Sequence, residues 1–293
     1  MALDEHDAVR VARELGLVPG TVIPLSGGAW SAAFLINNDD QDLVLRLGGS
    51  VEDYHADAFA ADLDLAAVPV PKVLRRGASG GLTYALSEFV PGAPLEAVDS
   101  ETWTGLVPQL ADILEALRRV GPPESRDPDD WHRHLMEVGE YPWHEGWRDR
   151  AEDQALALFD QGRTVLGHLD LAGTPMSLVH ADWINKNVHV HDGRIVGIFD
   201  WGCSRFSDHL YDLAWFEFWA PWHPELDVGL LRRALVDRWR AAGVDPLQIP
   251  DRLRACLLHI GLDHIVYNLL HGTAEDLRTT MERLRVLLAA PAS

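Results

Sequence analysis

Between Leu178 and Trp201 the chain reads Leu-Val-His180-Ala-Asp182-Trp-Ile-Asn-Lys-Asn187, then two short apolar runs at 188–190 and 195–199 around Asp192-Gly193, and then Asp200-Trp201. Asp-Gly between two apolar runs is a strong hairpin signal, because both central positions of the favoured turn take positive φ. Folding there sets Asn187, which enters the hairpin, beside Asp200, which leaves it, with Asp182 just upstream. Three oxygen-bearing side chains then converge. Such a set suits phosphoryl transfer: hard oxygen ligands hold a magnesium ion on nucleotide phosphates, and a carboxylate receives the proton of the attacking hydroxyl. Asp182 is therefore expected to be the base, Asn187 and Asp200 the metal ligands, and His180 a brace of the turn. The plainer alternative is that His180 and Asp182 cap a turn and Asp200 ends a strand.

Groups that would hold a nucleotide must precede this loop. Residues 4–15 place Ala8, Val11, Ala12 and Leu15 on one helical face, and Gly16 with Pro19 stops that helix. Three β segments follow, at 23–26, 31–36 and 43–47. Between the first two lie Ser26, Gly27, Gly28 and Ser31, small enough for backbone N–H groups to close on phosphates. A Gly-Gly pair in a hairpin is equally readable as a simple turn. Arg46, on the third segment, stands where kinases carry the Lys that pairs with the α and β phosphates, and a guanidinium forks onto phosphate oxygens as well. A helix is expected over 52–67 with Asp53 and Asp57 one turn apart, of which Asp57 is the chosen partner of Arg46. Two more strands, 72–74 and 83–87, complete a five-stranded sheet, and the backbone from Glu88 through Val90 is placed to hydrogen-bond an adenine edge.

The remainder is helix-rich. Leu106, Leu110, Ile113 and Leu117 mark a long helix, 131–147 is irregular and aromatic, and helices are expected over 151–171, 225–242 and 251–289. His259, Asp263 and Tyr267 recur every four residues on the last of these as a polar stripe, readable as a solvated or salt-bridged face or as a ligand wall. The segment 215–222 carries Glu217, Trp219 and Trp222. The expected fold is α+β and bilobal: a small antiparallel lobe, residues 1–91, for the nucleotide, and a larger helical lobe, 92–293, for catalysis and the acceptor.

With 45 acidic against 25 basic residues the formal net charge is −20, which disfavours nucleic acid and suits a cationic small molecule. Cys203 and Cys256 are the two cysteines, too few for a disulfide framework. No signal-peptide pattern opens the chain and no apolar run reaches a membrane span, so a soluble cytoplasmic protein with no membrane partner is expected, and a monomer is taken as the expected state. His132-x-His134 and His189-x-His191 lack the spaced partners of a closed zinc site.

Taken together, these residues resemble the aminoglycoside phosphotransferase family, which shares the protein-kinase fold, and within it the members that act on hygromycin B. The resemblance runs through Val44-Leu-Arg46, Val68-Pro-Val-Pro71, Val179-His-Ala-Asp182, Asn187-Val, Asp192-Gly-Arg-Ile195, Asp200-Trp201, Phe218-Trp219, Pro221-Trp222 and Arg252-Leu-Arg254 to Ile260-Gly-Leu-Asp263. It implies ATP or GTP with Mg2+ as cofactors, an aminoglycoside as acceptor, Asp182 as base, Arg46 as phosphate anchor, and Asp208 and Asp212 as braces of the catalytic loop. Glu217 and Asp263 would then hold amines, and Trp219, Trp222 and Tyr267 would line the sugars. Ile184 stands where protein kinases carry Lys, and no Ala-Pro-Glu element follows Asp200; both argue against a protein substrate. Other readings are a kinase of choline, a thiosugar or another metabolite, and a non-catalytic nucleotide-binding module.

Overall fold

A computed structural model describes residues 3–25, 31–38, 41–124, 127, 129–244 and 249–290. In chain order its elements are α1 (Glu5–Glu14), β1 (Pro19–Pro24), β2 (Ser31–Asn38), β3 (Gln41–Gly48), α2 (Val51–Asp62), β4 (Val73–Ser79), β5 (Leu82–Glu88), β6 (Ala93–Pro94), α3 (Ser100–Arg118), α4 (Asp130–Met136), α5 (Asp153–Leu166), β7 (Met176–Val179), β8 (Val188–His191), β9 (Arg194–Ile198), β10 (Arg205–Asp208), α6 (Leu210–Trp219), α7 (Val228–Ala241), α8 (Ile249–Leu270) and α9 (Ala274–Ala289). Packing divides the chain into Met1–Val98 with Asn185–Ser204, and Asp99–Ile184 with Arg205–Ser293.

In the first unit a five-stranded antiparallel sheet runs in the order β1-β2-β3-β5-β4. Strand period puts Leu43, Leu45 and Leu47 on one face, where they bury against Ala8, Val11 and Ala12 of α1 with Phe34, Ile36 and Leu86. Arg46 falls on the opposite face, toward α2. Asp4 starts α1 by accepting the His6 and Asp7 amides, and Ser50 starts α2 with Asp53 completing a capping box. Asp64 takes φ 46°, so α2 ends short of the expected residue 67. A smaller sheet, β6-β8-β9, contains the expected hairpin: Asp192 and Gly193 take φ of 49° and 68°, and His191 pairs with Arg194.

The second unit is helical apart from the β7–β10 pair. α3 buries Leu106, Leu110, Ile113 and Leu117, the face its periodicity marks. The single helix expected over 251–289 is two helices. Thr273 accepts the Asp276 amide and Asp276 accepts the Thr273 amide, a capping box that starts α9 afresh after α8 closes at Leu270. The polar stripe on α8 is buried at one end, while Asp263 and Tyr267 stay partly exposed. His259 is 1 % exposed, its ring nitrogens 2.9 Å from the hydroxyls of Tyr141 and Tyr211. Tyr141 donates to the His134 carbonyl at 2.6 Å, so its oxygen accepts from His259 Nε2 while Nδ1 accepts from Tyr211. Burial holds His259 down to about 3, neutral at physiological pH.

Candidate active site

In the first unit Arg46 joins two of the expected site carboxylates. Its Nη1 donates to Asp57 Oδ2 at 2.6 Å and its Nη2 to Asp200 Oδ1 at 2.9 Å, so one guanidinium bridges a residue of α2 and the residue that leaves the hairpin. Its planar fork suits two carboxylates at once, which a single ammonium does less well. Asp57 gives its other oxygen to the Trp201 amide at 2.8 Å. That bond has a structural consequence, because Asp200 itself sits in the left-handed region at φ 59° and ψ 62°. A non-glycine residue there costs on the order of 1–3 kcal/mol, and the Asp57 carboxylate fixes the peptide that follows it. Burial pushes Asp57 up to about 6, against the pull of Arg46 and the Trp201 amide, so it is mostly ionised at neutral pH. Asp53 is engaged as the cap of α2 and lies against Gly202, where a Cβ would stand 2.8 Å from its Oδ1.

Asn187 lies beside Asp200 by hairpin geometry: the Phe199 amide donates to the Asn187 carbonyl at 2.8 Å. Asn187 is buried, and Asp200 keeps 43 % of its side chain exposed. Tyr54, one turn before Asp57, was not legible as a site residue. Its ring lies 5.2 Å from the Arg46 guanidinium, its hydroxyl donates to the Gly48 carbonyl, and burial pushes it up to about 12.

Of the expected nucleotide contacts, Ser26, Gly27 and Gly28 lie outside the described residues. Ser31 opens β2 opposite Gly48. The Glu88 amide donates to the Lys72 carbonyl at 3.1 Å, and the Val90 carbonyl faces His189 Nδ1 at 3.1 Å.

In the second unit, Asp182 is half-buried and its amide donates to His180 Nδ1 at 3.2 Å. Asp212, 2 % exposed in the first turn of α6, accepts the His180 amide at 3.2 Å and the Ala181 amide at 2.9 Å. Ala181 takes φ 64°, so this carboxylate holds a strained turn just ahead of Asp182. Burial pushes Asp212 up to about 6, and the two amides pull the other way. Asp208, expected as a second brace, turns elsewhere. Its carboxylate takes the Arg252 guanidinium at 2.6 and 2.7 Å and the Leu210 amide at 2.9 Å.

The expected acceptor residues also lie in this unit. Trp219 and Trp222 have ring centroids 5.3 Å apart, and His264 stands 4.9 Å from Trp219 and 6.2 Å from Tyr267. Glu217 is already paired, its Oε1 3.1 Å from Arg232 Nε, and burial raises its pKa. Asp263 receives His144 Nε2 at 3.2 Å. Burial acts to raise its pKa, but the His144 hydrogen bond and nearby imidazoles outweigh that and hold it well below the carboxylate range. The Gly139 amide donates to His144 Nδ1, so Nε2 carries the proton toward Asp263. Next to His144 stands Trp143, 61 % exposed and 4.9 Å from the Tyr141 ring, an aromatic surface that the irregular segment 131–147 did not single out.

A profile of the phosphotransferase enzyme family (APH) matches residues 21–253. The chain is 25% identical over 271 residues to hygromycin-B 4-O-kinase of Escherichia coli, covering 87% of this chain and 76% of that protein. Among solved structures it is similar to a thermostable mutant of aminoglycoside phosphotransferase APH(4)-Ia in ternary complex with AMP-PNP and hygromycin B, with TM-score 0.77 and 24% identity over 96% of this chain and 97% of that one. It is also similar to the gentamicin–APH(2″)-IIa complex, with TM-score 0.70 and 15% identity over 100% and 98%. The fold is thus the kinase-like fold of aminoglycoside phosphotransferases, and with the family profile spanning most of its length, the chain belongs to the phosphotransferase enzyme family.

Proposed function

We propose that this protein transfers the γ-phosphate of ATP, or of GTP, to a hydroxyl of an aminoglycoside, hygromycin B first among them. The observation that carries this reading is the Arg46 bridge between Asp57 and Asp200, which sets a phosphate-binding cation against a carboxylate suited to a metal, beside Asn187. Asn187 and Asp200 offer an amide and a carboxylate oxygen, the hard donors Mg2+ takes, and would hold the ion there. When bound, Mg2+ offsets the phosphate charge.

The chain's own residues do the rest. Arg46 turns from Asp200 to the nucleotide phosphates while staying paired with Asp57. Asp182, presented by His180 and Asp212, accepts the proton as the acceptor oxygen bonds to the γ-phosphorus and the bond to the β-phosphate oxygen breaks. Residues 1–91, with Ser26, Gly27, Gly28 and Ser31 and the Glu88–Val90 backbone, hold the nucleotide. Residues 92–293 hold the acceptor, with Trp219, Trp222 and Trp143 offering ring faces, Tyr267 a polar edge, and Asp263 and Glu217 negative charge. That surface suits a polycationic sugar, and the net charge of −20 agrees with it. No helix among the described residues is long and apolar enough to cross a membrane. We place the reaction in the cytoplasm, where ATP is available, and take the protein as a monomer.

The test is labelled ATP and magnesium with a panel of aminoglycosides and small metabolites, then NMR of the product. Transfer to hygromycin B ahead of kanamycin-like drugs is expected. Turnover of choline or a thiosugar with no aminoglycoside modified would overturn the reading.

A further inference from the structure

The loop that delivers Asn187 carries strain. Asn185 and Lys186 take φ of 154° and 66°, conformations that side-chain-bearing residues rarely adopt, directly before the proposed metal ligand. Something must hold them. Glu96 stands on the turn Leu95–Ala97, and its Oε1 accepts the Lys186 amide at 2.6 Å. That turn is itself anchored. Leu95 is fully buried, and β6 pairs with β8 through Ala93–Val190 and Pro94–His189. Gly92 allows the approach, because a Cβ there would meet the Val190 carbonyl at 2.9 Å. The other carboxylate oxygen of Glu96 is buried with no hydrogen-bond partner among the described residues.

We propose that Glu96 is a positioning residue for Asn187: by accepting the Lys186 amide it holds the left-handed backbone that aims Asn187 at the metal. The hydrogen bond is charge-assisted and short, and it acts on the peptide unit adjoining the ligand. Glu96 touches neither nucleotide nor acceptor in this role. The inference rests on the reading of Asn187 as a magnesium ligand.

The experiment titrates Mg2+ into the full chain with AMP-PNP and follows nucleotide binding by calorimetry, which needs no knowledge of the acceptor. Glu96→Ala should raise the Mg2+ concentration for half-maximal binding by about tenfold or more, as expected for loss of a charge-assisted bond. Glu96→Gln, which keeps an oxygen acceptor, should stay within about threefold. Adding Lys186→Gly to Glu96→Ala should recover most of the loss, since glycine adopts positive φ without help. Should Glu96→Ala fail to fold, Lys186→Val with Glu96 intact provides the same readout, because a β-branched residue resists that φ and should raise the Mg2+ requirement likewise. Asn187→Ala separates the two ideas. If it leaves the Mg2+ requirement unchanged, the ligand reading fails. If it raises the requirement while a folded Glu96→Ala does not, or if glycine gives no recovery, or if, with Glu96→Ala unfolded, Lys186→Val leaves the requirement unchanged, the positioning role of Glu96 is wrong.

Discussion

Replacing Arg46 by Met tests the charge network most directly, since it keeps an unbranched apolar stem and removes the guanidinium. Asp57, 12 % exposed, would keep the Trp201 amide and lose its counter-charge. Breaking such a buried pair costs ~3–5 kcal/mol while the remaining group stays charged. The Asp200 arm adds little, ~0–1 kcal/mol, because that side chain is 43 % exposed and screened by solvent. Proton uptake limits the loss. Asp57 already stands at about 6 in the folded chain, above its unfolded value of ~3.9, and without Arg46 it rises further. A raised folded pKa gives stability that is fully present below the unfolded value and lost as pH rises through the folded value. At pH 5 Asp57 is therefore largely protonated with or without Arg46, and the variant should lose little beyond packing. By pH 8.5 the parent keeps an ion pair while the variant must hold either a bare carboxylate or a proton, and because protonation caps the added loss at ~1.4 kcal/mol per pH unit above about 6, the deficit should grow by up to ~3 kcal/mol. Urea unfolding followed by tryptophan fluorescence at the two pH values reads this, and Asp57→Asn added to Arg46→Met should remove the pH dependence. A deficit no larger at pH 8.5 than at pH 5 refutes the argument.

Three further outcomes are expected. Asp182→Asn should lower kcat by about two orders of magnitude or more with little change in nucleotide affinity, and turnover within tenfold of the parent would reassign the base. Asp200→Ala should abolish magnesium-dependent ATP binding, so an unchanged affinity in a magnesium titration would move the metal site elsewhere. Asp263→Asn should raise KM for hygromycin B more than Glu217→Gln does, because Arg232 already occupies Glu217, with KM for ATP unmoved in both. Rising salt should weaken acceptor binding in the parent, and a KM insensitive to both substitutions and to salt would remove these carboxylates from the acceptor site.

What was legible in the sequence is what local chemistry decides. Asp192-Gly193 specifies a turn whose two positive φ values the hairpin shows, and alternation along Leu43–Leu47 predicts both the buried face and the opposite side of Arg46. Chemistry of side chains far apart in the chain was legible only in part. Asp53 and Asp57 are one turn apart and look alike in sequence. What separates them is that Ser50 forms a capping box with Asp53, leaving Asp57 for Arg46. Ser-x-x-Asp at the helix start was the available signal.

Elsewhere the miss has a different physical origin. The stripe of His259, Asp263 and Tyr267 has the spacing of an exposed helical face, and the spacing cannot reveal that Tyr141 and His144 come from a segment more than a hundred residues earlier to satisfy His259 and Asp263. A buried polar group is stable only with its partner, so such a stripe reads as solvent-facing until the partner is seen. The same reasoning separates the two expected braces of the catalytic loop. Asp208 and Asp212 lie four residues apart and were equivalent by resemblance. Arg252, on α8, claims Asp208, while the amides of His180 and Ala181 claim Asp212. Asp212 bonds the residue before Asp182, whereas the Asp208 carboxylate is held by Arg252, so Asp212→Asn should lower kcat with nucleotide affinity kept, and Asp208→Asn should instead lower the urea midpoint by loosening α8.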